Sequence, residues 1–568
     1  MVEPIAVLQG NGIPPVKIFG FSEFLTAVAL LVVVYTIADV RYKFRIAVTP
    51  SSLYLTTFLV IAVVGFQSLL TDVWLSSGWW VPKYTWLTRP IWDGIFGTLF
   101  LGTFLTWMYY AFIRPPVFGG RNALRFAREL YQYILRGNDD ELKIIAHELS
   151  RSAKSLVIHS KQMRPKTSET TTSADQMKKR KPQVEDYAFD ILLLIADRKF
   201  CRNVVASSPV TAQAFFEEMA SAQKYQIPIG QFSRNILSEA VAQKGSFLYT
   251  EAAGFSSGLL GHLKPVSQAM YGNYELLESL NRYSLSPLEV NYEERWAWDA
   301  HQWRAYCQAT LFTFKDYIYR GFGSRTSYAL NQAIDHVKCC YRDLHRVDES
   351  PNTYETDTYK RFSVAVQFVR DAIDIIDQDP NPPAPLVRVR EDTYPKNIYD
   401  HLALLIFDMC TSASWVKSPV QTCWSVHYLT LWSTLFHNFQ TAPAWKIVRH
   451  KVRRLIYDEI LRLQEFPNYK GSAILGLCLN VFGMSVGSSK QNFGRDSYAL
   501  TKAIHSWTKR HYLWLRQQNP DVADSVLIGS VSFEEERCRL VKTYIKGLNR
   551  EAPKSYLDLD QPASSIQS

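Results

Sequence analysis

IAVTPSSLYLTTFLVIAVVGFQSLLT, residues 46–71, carries no charged side chain. A bilayer crossing needs about 20 predominantly apolar residues, and this run supplies them. Thr49 followed by Pro50 reads as a helix start, with the hydroxyl as N-cap and the proline at the first helical position. The span is therefore expected at about 49–71. Two more apolar runs flank it. Upstream, residues 19–38 hold one charge, Glu23, near their outer end. Downstream, residues 92–113 hold only Asp93, at their start, and Thr88-Arg89-Pro90 marks the turn leading in. The expected fold class is mainly α: three N-terminal transmembrane helices (about 19–38, 49–71 and 92–113), followed by a large α-helical cytoplasmic domain of packed helical hairpins.

Orientation follows from the loops. Arg41, Lys43 and Arg45 lie between the first two runs, and Arg114, Arg121, Arg125 and Arg128 follow the third. The loop between the second and third runs has only Lys83 and Arg89 beside Asp72. Basic residues favour the inner side. The expectation is thus a multi-pass protein of the cell (inner or plasma) membrane, with its N-terminus outside and its large C-terminal domain cytoplasmic. The first run is followed by basic residues and lacks a small-x-small cleavage site, so it reads as a span and not as a signal peptide. Trp74, Trp79, Trp80, Trp86 and Trp92 cluster in the outer loop, where indole rings favour the headgroup layer. Arg41, Lys43 and Arg45 mark the opposite interface. No ionisable residue falls mid-span, as a transport path would require. Thr98 and Gly102 form one small-xxx-small pair, a pattern that favours helix association and a homo-oligomer.

Beyond Arg114 the chain reads as helical and mixed in charge. Residues 1–114 are the transmembrane domain. Residues 115–160 are expected to form a juxtamembrane helical hairpin, its second helix capped by Asp139 or Asp140 and reaching about Ile158. A flexible basic linker, 161–184, contains Lys178, Lys179, Arg180 and Lys181. Near an anionic leaflet such residues contribute about 1 kcal/mol each. The helical domain is divided into a first half, 185–378, and a second half, 394–550, by the Pro-rich break at 379–393. Its last amphipathic run is Phe533–Lys546. Residues 551–568 read as a disordered tail. Lys446, Arg449, Lys451, Arg453 and Arg454 form a second basic surface on one expected helix, either a docking face or the polar side of a buried stripe. An internal echo pairs Arg325 and Tyr328 with Arg495 and Tyr498, each Tyr near the start of an amphipathic helix.

The net charge of +10 is spread over 568 residues, too dilute by itself to argue for nucleic-acid binding. Eight scattered cysteines without a CxxC pair suit a reducing compartment. His147-Glu148 begins like HExxH, but Arg151 occupies the second ligand position. Gly483–Lys490 lacks the GK spacing that brings an amine to phosphate. Asp371, Asp374 and Asp377 share one helix face without a second acidic helix, and Cys339-Cys340 has no supporting constellation. No catalytic, cofactor or metal site is expected. The function read from these features is a membrane-anchored cytoplasmic helical scaffold or sensor that binds an unidentified protein partner at the inner membrane face. The lipid bilayer and its anionic inner-leaflet lipids are further contacts. The alternatives are an oligomeric channel or membrane-disrupting effector gated by the cytoplasmic domain, and a helical enzyme with a non-local active site.

Overall fold

The computed structural model describes residues 20–77, 79, 89–163, 182–251, 256–257, 261–262, 265–283, 285–348, 352–384, 397–436, 442–486, 497–544 and 552–561. The chain is mainly helical and divides into two compact units, Met1–Pro228 and Ile229–Ser568.

The first unit opens with α1 (Phe21–Ile37), whose first turn is closed by Glu23 accepting the backbone N–H of Gly20 at 2.9 Å. A break at Ala38 leads into α2 (Val40–Ala47), a short amphipathic helix that buries Phe44, Arg45 and Ile46. Then come α3 (Leu53–Ser76) and α4 (Arg89–Met108), the latter extended by a π-helical turn, Tyr109–Ile113. Two helical stretches are long and apolar enough to cross a membrane, Leu53–Trp74 and Ile91–Ile113; the apolar part of α1, Phe21–Val33, is shorter. The three helices meet at a cluster of Phe24, Val64 and Phe96. Gly65 is required there, because a Cβ would lie 2.6 Å from the Phe24 ring.

The second apolar run departs from its expected course. Ile46 and Ala47 end α2, and the following helix starts at Leu53 rather than at Thr49. The Thr49 hydroxyl does not cap a helix. It donates to the carbonyls of Ile46 and Ser51, both at 2.8 Å. Burial explains the shift: Ile46, Val48 and Thr49 are enclosed by protein, so the uncharged run serves two structures.

Below lie α5 (Ala123–Arg136), α6 (Asp139–Ser150) and α7 (Ala153–His159). Asn138, not either aspartate, caps α6: its side chain accepts from Glu141 N at 2.8 Å while Glu141 accepts from Asn138 N at 3.0 Å, a capping box. The second arm of the expected hairpin is broken between α6 and α7, where the Ser152 hydroxyl accepts the N–H of Phe118 at 3.1 Å. Helices Val184–Leu194, Arg198–Ser207 and Val210–Ala222 complete the unit.

In the second unit, helix Ala300–Tyr319 packs on Asp357–Gln378, and Ile398–Ala413 packs on Pro443–Glu465. Helix Asp357–Gln378 also contacts Pro443–Glu465, and the residues on both sides of the Pro-rich stretch belong to one compact unit; residues 385–396, which include most of that stretch, lie outside the described residues. Strands β1 (Ser256–Ser257) and β2 (Gly261–His262) form a minimal pair. Near the C-terminus β3 (Val531–Glu534), β4 (Arg539–Thr543) and β5 (Lys554–Asp558) form an antiparallel sheet in that order. Two expectations are corrected here. Where a helix is expected over 533–546, residues 531–543 form a hairpin; Cys538 turns it at φ 45°, and Arg539 pairs across it with Glu534 at 2.6 Å. Within the expected disordered tail, residues 554–558 form the third strand, with Tyr556 lying 4.0 Å from the Arg539 guanidinium.

Lys542 on β4 is buried. Its ammonium donates to the Asn480 carbonyl and faces the rings of Trp424 and Tyr544 at 5.3 and 4.8 Å. Burial pushes its pKa down to about 8.

Candidate functional site at the foot of the apolar helices

Glu148 is the centre of this site. It stands on α6 one turn beyond Ile145 and beside Leu149, on the face that also buries Leu142, and only 5% of its surface is exposed. A carboxylate so placed needs a cation. Arg45 supplies it in a two-pronged pair: Nε to Oε2 at 2.8 Å and Nη2 to Oε1 at 2.6 Å. The third prong, Nη1, donates to the Ala111 carbonyl at 2.6 Å.

Ala111 needs that donor for a reason written in the chain. A helix carbonyl accepts from the N–H four residues on, or five in a π turn. Those positions are Pro115 and Pro116, which have no N–H. The prolines therefore leave an orphan carbonyl at the end of α4, and Arg45 occupies it. One guanidinium thus ties together α2, the foot of α4 and α6, using donors that lie in a fixed fork.

The surroundings hold the fork in place. Arg41, more exposed, approaches Glu148 at 3.6 Å. The Tyr42 ring lies 5.7 Å from the Arg45 guanidinium. Ile46, Leu53 and Ala111 form a buried cluster with Trp107 and Tyr110 against it. Phe44 packs edge-on to Phe126 and Tyr133 of α5. Asn122 donates to Val48 O at 2.7 Å and Arg125 to Thr49 O at 2.8 Å, so α5 grips the α2–α3 turn through its backbone. Removing one partner of such a buried pair costs about 3–5 kcal/mol.

The residues singled out in the sequence fare differently. Arg45 is buried inside the protein, and Arg41 shares its carboxylate. Lys43 lies 5.9 Å from the Tyr35 ring. Trp74 and Trp79 meet edge-on at 4.9 Å, and Trp92 packs on Phe96 at 5.7 Å. Trp80, Trp86, Lys178, Lys179, Arg180, Lys181 and Arg495 lie outside the described residues.

The second basic segment is not one surface. Lys446 is exposed, but Arg449 is buried, donating to Leu435 O at 2.9 Å and lying over Trp445. Lys451 is buried against Asp400 at 2.9 Å. Arg453 is half-buried, and Arg454 pairs with Asp458 at 3.3 Å. Their helix is wrapped by neighbours on more than one face, which a single polar stripe does not reveal. The echoed helices both begin at their tyrosine, Tyr328 and Tyr498, and both bury the following Leu and Ile. Only the first is capped by its serine: Ser327 accepts from Leu330 N at 3.2 Å, whereas Ser497 makes no cap. Arg325 is exposed and lies 5.3 Å from the Phe322 ring.

The three aspartates of one helix face have a structural task. Asp374 accepts from Trp445 Nε1 at 2.8 Å and Asp377 from Ala444 N at 2.7 Å, seating the start of Pro443–Glu465; Asp371 accepts from Gln367. Among the described residues no group of His, Cys, Asp and Glu is placed to hold a metal ion. Burial pushes the Cys339 and Cys340 thiols up, away from the reactive thiolate. His336 is buried against the Tyr306 hydroxyl at 3.0 Å, and burial pushes its pKa down to about 3.

Sequence reasoning missed Glu148, met only as part of a failed zinc motif. Its signal was legible: on α6 the 3.6-residue period puts it on the apolar face. Its partner, 103 residues earlier, was not. No protein family, no characterised protein and no solved structure matches this chain.

Proposed function

We propose that the protein is a membrane-anchored helical scaffold: α1, α3 and α4 cross the membrane, α5–α7 sit at its inner face, and the helical second unit binds a protein partner there. The observation that carries this reading is the Arg45 fork. A passive tether needs only a linker after its last span. Here the foot of the apolar helices is locked to the first soluble helices through a buried ion pair and a backbone acceptor, which suits a platform of fixed geometry. Although α1 is only 17 residues long, at 1.5 Å per residue it reaches roughly 25 Å, and Gly20 and Ala38 extend it.

The channel alternative finds less support. The Thr103 and Thr106 hydroxyls of α4 donate back to the Leu99 and Gly102 carbonyls of their own helix. The cavity between α1, α3 and α4, ≈ 280 Å³, is lined mainly by apolar side chains such as Leu31, Phe58 and Phe104.

Affinity purification of the full chain from its native membrane tests the scaffold. A protein retained in constant ratio is the expected outcome, and its absence after mild chemical cross-linking overturns the reading. A membrane-potential dye provides the counter-test, since depolarisation that depends on the apolar helices favours the channel.

A further inference from the structure

The second unit contains a cavity of ≈ 490 Å³ whose lining is Arg342, His345, Ser412 and Trp415. Arg342 and His345 sit on the short-turn stretch that Leu344 and Val347 anchor in the core. Ser412 lies on the last turn of helix Ile398–Ala413, and Trp415 stands just beyond its end with 36% of its surface exposed. The Lys417 ammonium lies 6.0 Å from the Trp415 ring, and the Arg342 guanidinium 5.5 Å from the ring of Trp296.

The neighbouring acids are engaged elsewhere. Asp343 is buried and pairs with Arg361 at 2.9 Å. Asp348 accepts from the backbone N–H groups of Lys417 and Ser418. Among the described residues neither Arg342 nor Lys417 has a carboxylate within 4.0 Å, and the side chains of His345 and Ser412 have no hydrogen-bond partner. The cavity is therefore lined by a guanidinium, an imidazole, a hydroxyl and an indole, and the Lys417 ammonium lies near that indole.

We propose that this cavity binds the phosphate monoester of a phosphorylated serine or threonine on the partner protein. The claim rests on the scaffold reading and gives the partner a chemistry. A phosphomonoester carries a charge of about −1.5 to −2 and three strong acceptor oxygens. Arg342 and Lys417 match the charge. The guanidinium fork, the hydroxyl and the imidazole match the acceptors better than they match a lone carboxylate. The volume exceeds that of a phosphate and falls within the range of roughly 300–1,000 Å³ of sites that enclose a larger ligand, with the indole as an apolar wall for the peptide stem. Single-stranded nucleic acid fits less well, because it needs successive stacking platforms along a charged track and this cavity presents one indole.

The test uses the full chain in detergent and ³¹P NMR of the probe acetyl-Ala-phosphoserine-Ala-amide. Line broadening of the probe phosphorus that decreases as the ratio of probe to protein is raised is expected. Arg342→Ala, at an exposed site, is expected to weaken binding by about tenfold or more, because a charge-assisted bond is lost. Arg342→Lys retains part of the affinity, and Ser412→Ala loses roughly threefold. Unchanged thermal melting of the variants excludes misfolding. No broadening, or equal broadening with Arg342→Ala, overturns the proposal. Equal affinity for inorganic phosphate reduces the ligand to the free anion and overturns the peptide assignment, and tighter binding of an oligouridylate replaces it with RNA. Binding of the phosphopeptide without any protein co-purifying from the membrane leaves the pocket standing and removes the scaffold.

Discussion

Arg45 in the first unit and Lys542 in the second are buried cations doing the same local task with opposite electrostatic support. Each donates to an orphan carbonyl at the end of a helix. Ala111 is orphaned by Pro115 and Pro116. Asn480 is orphaned because the N–H four residues on, that of Met484, donates to the Ser555 hydroxyl instead. Cations are favourable at helix C-termini, so both placements follow one principle. Arg45, however, has the Glu148 carboxylate on its other prongs. Lys542 has two aromatic rings and, among the described residues, no carboxylate within ion-pair distance. The first cation sits within a closed network of acceptors. The second carries an uncompensated desolvation cost, visible in its lowered pKa.

The comparison can be broken from either side, and the largest effect is expected at Glu148. Glu148→Ala strands a buried guanidinium and should destabilise the first unit by about 3–5 kcal/mol. Hydrogen exchange provides the readout: protection should fall in residues 40–47 and 139–150 and be unchanged in the second unit. Equal protection in the variant would mean that Arg45 is not the tie described above.

A pH experiment addresses the Lys542 side. Its pKa is about 8 in the folded chain against an ordinary 10.5, so between those values the unfolded chain binds more protons. Stability must then rise with pH across that window, by about 3 kcal/mol in all, and this contribution is absent below pH 8. Other groups titrate there too, so the quantity to measure is the difference between the wild type and Lys542→Met in urea melts at pH 7.5 and 10. A parallel response of the two proteins would refute the uncompensated charge.

At pH 7 the same variant is expected to change stability by no more than about 1 kcal/mol, because relief of desolvation is offset by the stranded Asn480 carbonyl. That near-neutrality, set against Glu148→Ala, is the sharpest form of the contrast. The smallest effect belongs to Arg41→Ala, below about 0.5 kcal/mol by thermal melting, since a partly exposed charge 3.6 Å from Glu148 is screened by solvent.

Much of the helical framework was legible. Apolar runs and helical periodicity depend on residues a few positions apart and are local signals. The errors are also local in origin. Thr49-Pro50 has the composition of a helix start, but packing against α5 consumed the residues around it. The β3–β4 hairpin resembles a helix because two short strands and a turn place apolar residues at mixed spacings, and β5 is too short to stand out from a polar tail. The basic segment 446–454 was read as a surface because a sequence shows which residues are charged and not how many sides of their helix are covered.

The sequence by itself determined where the chain is apolar, that it is mainly helical and where prolines remove donors, since each depends on residues within a few positions of one another. The tertiary structure alone decided which charges are buried and with what. Arg45 meets Glu148 across 103 residues and Lys542 meets Asn480 across 62. The energy of a charge depends on the dielectric and the partners that the folded chain brings around it, and nothing in the neighbouring sequence specifies either.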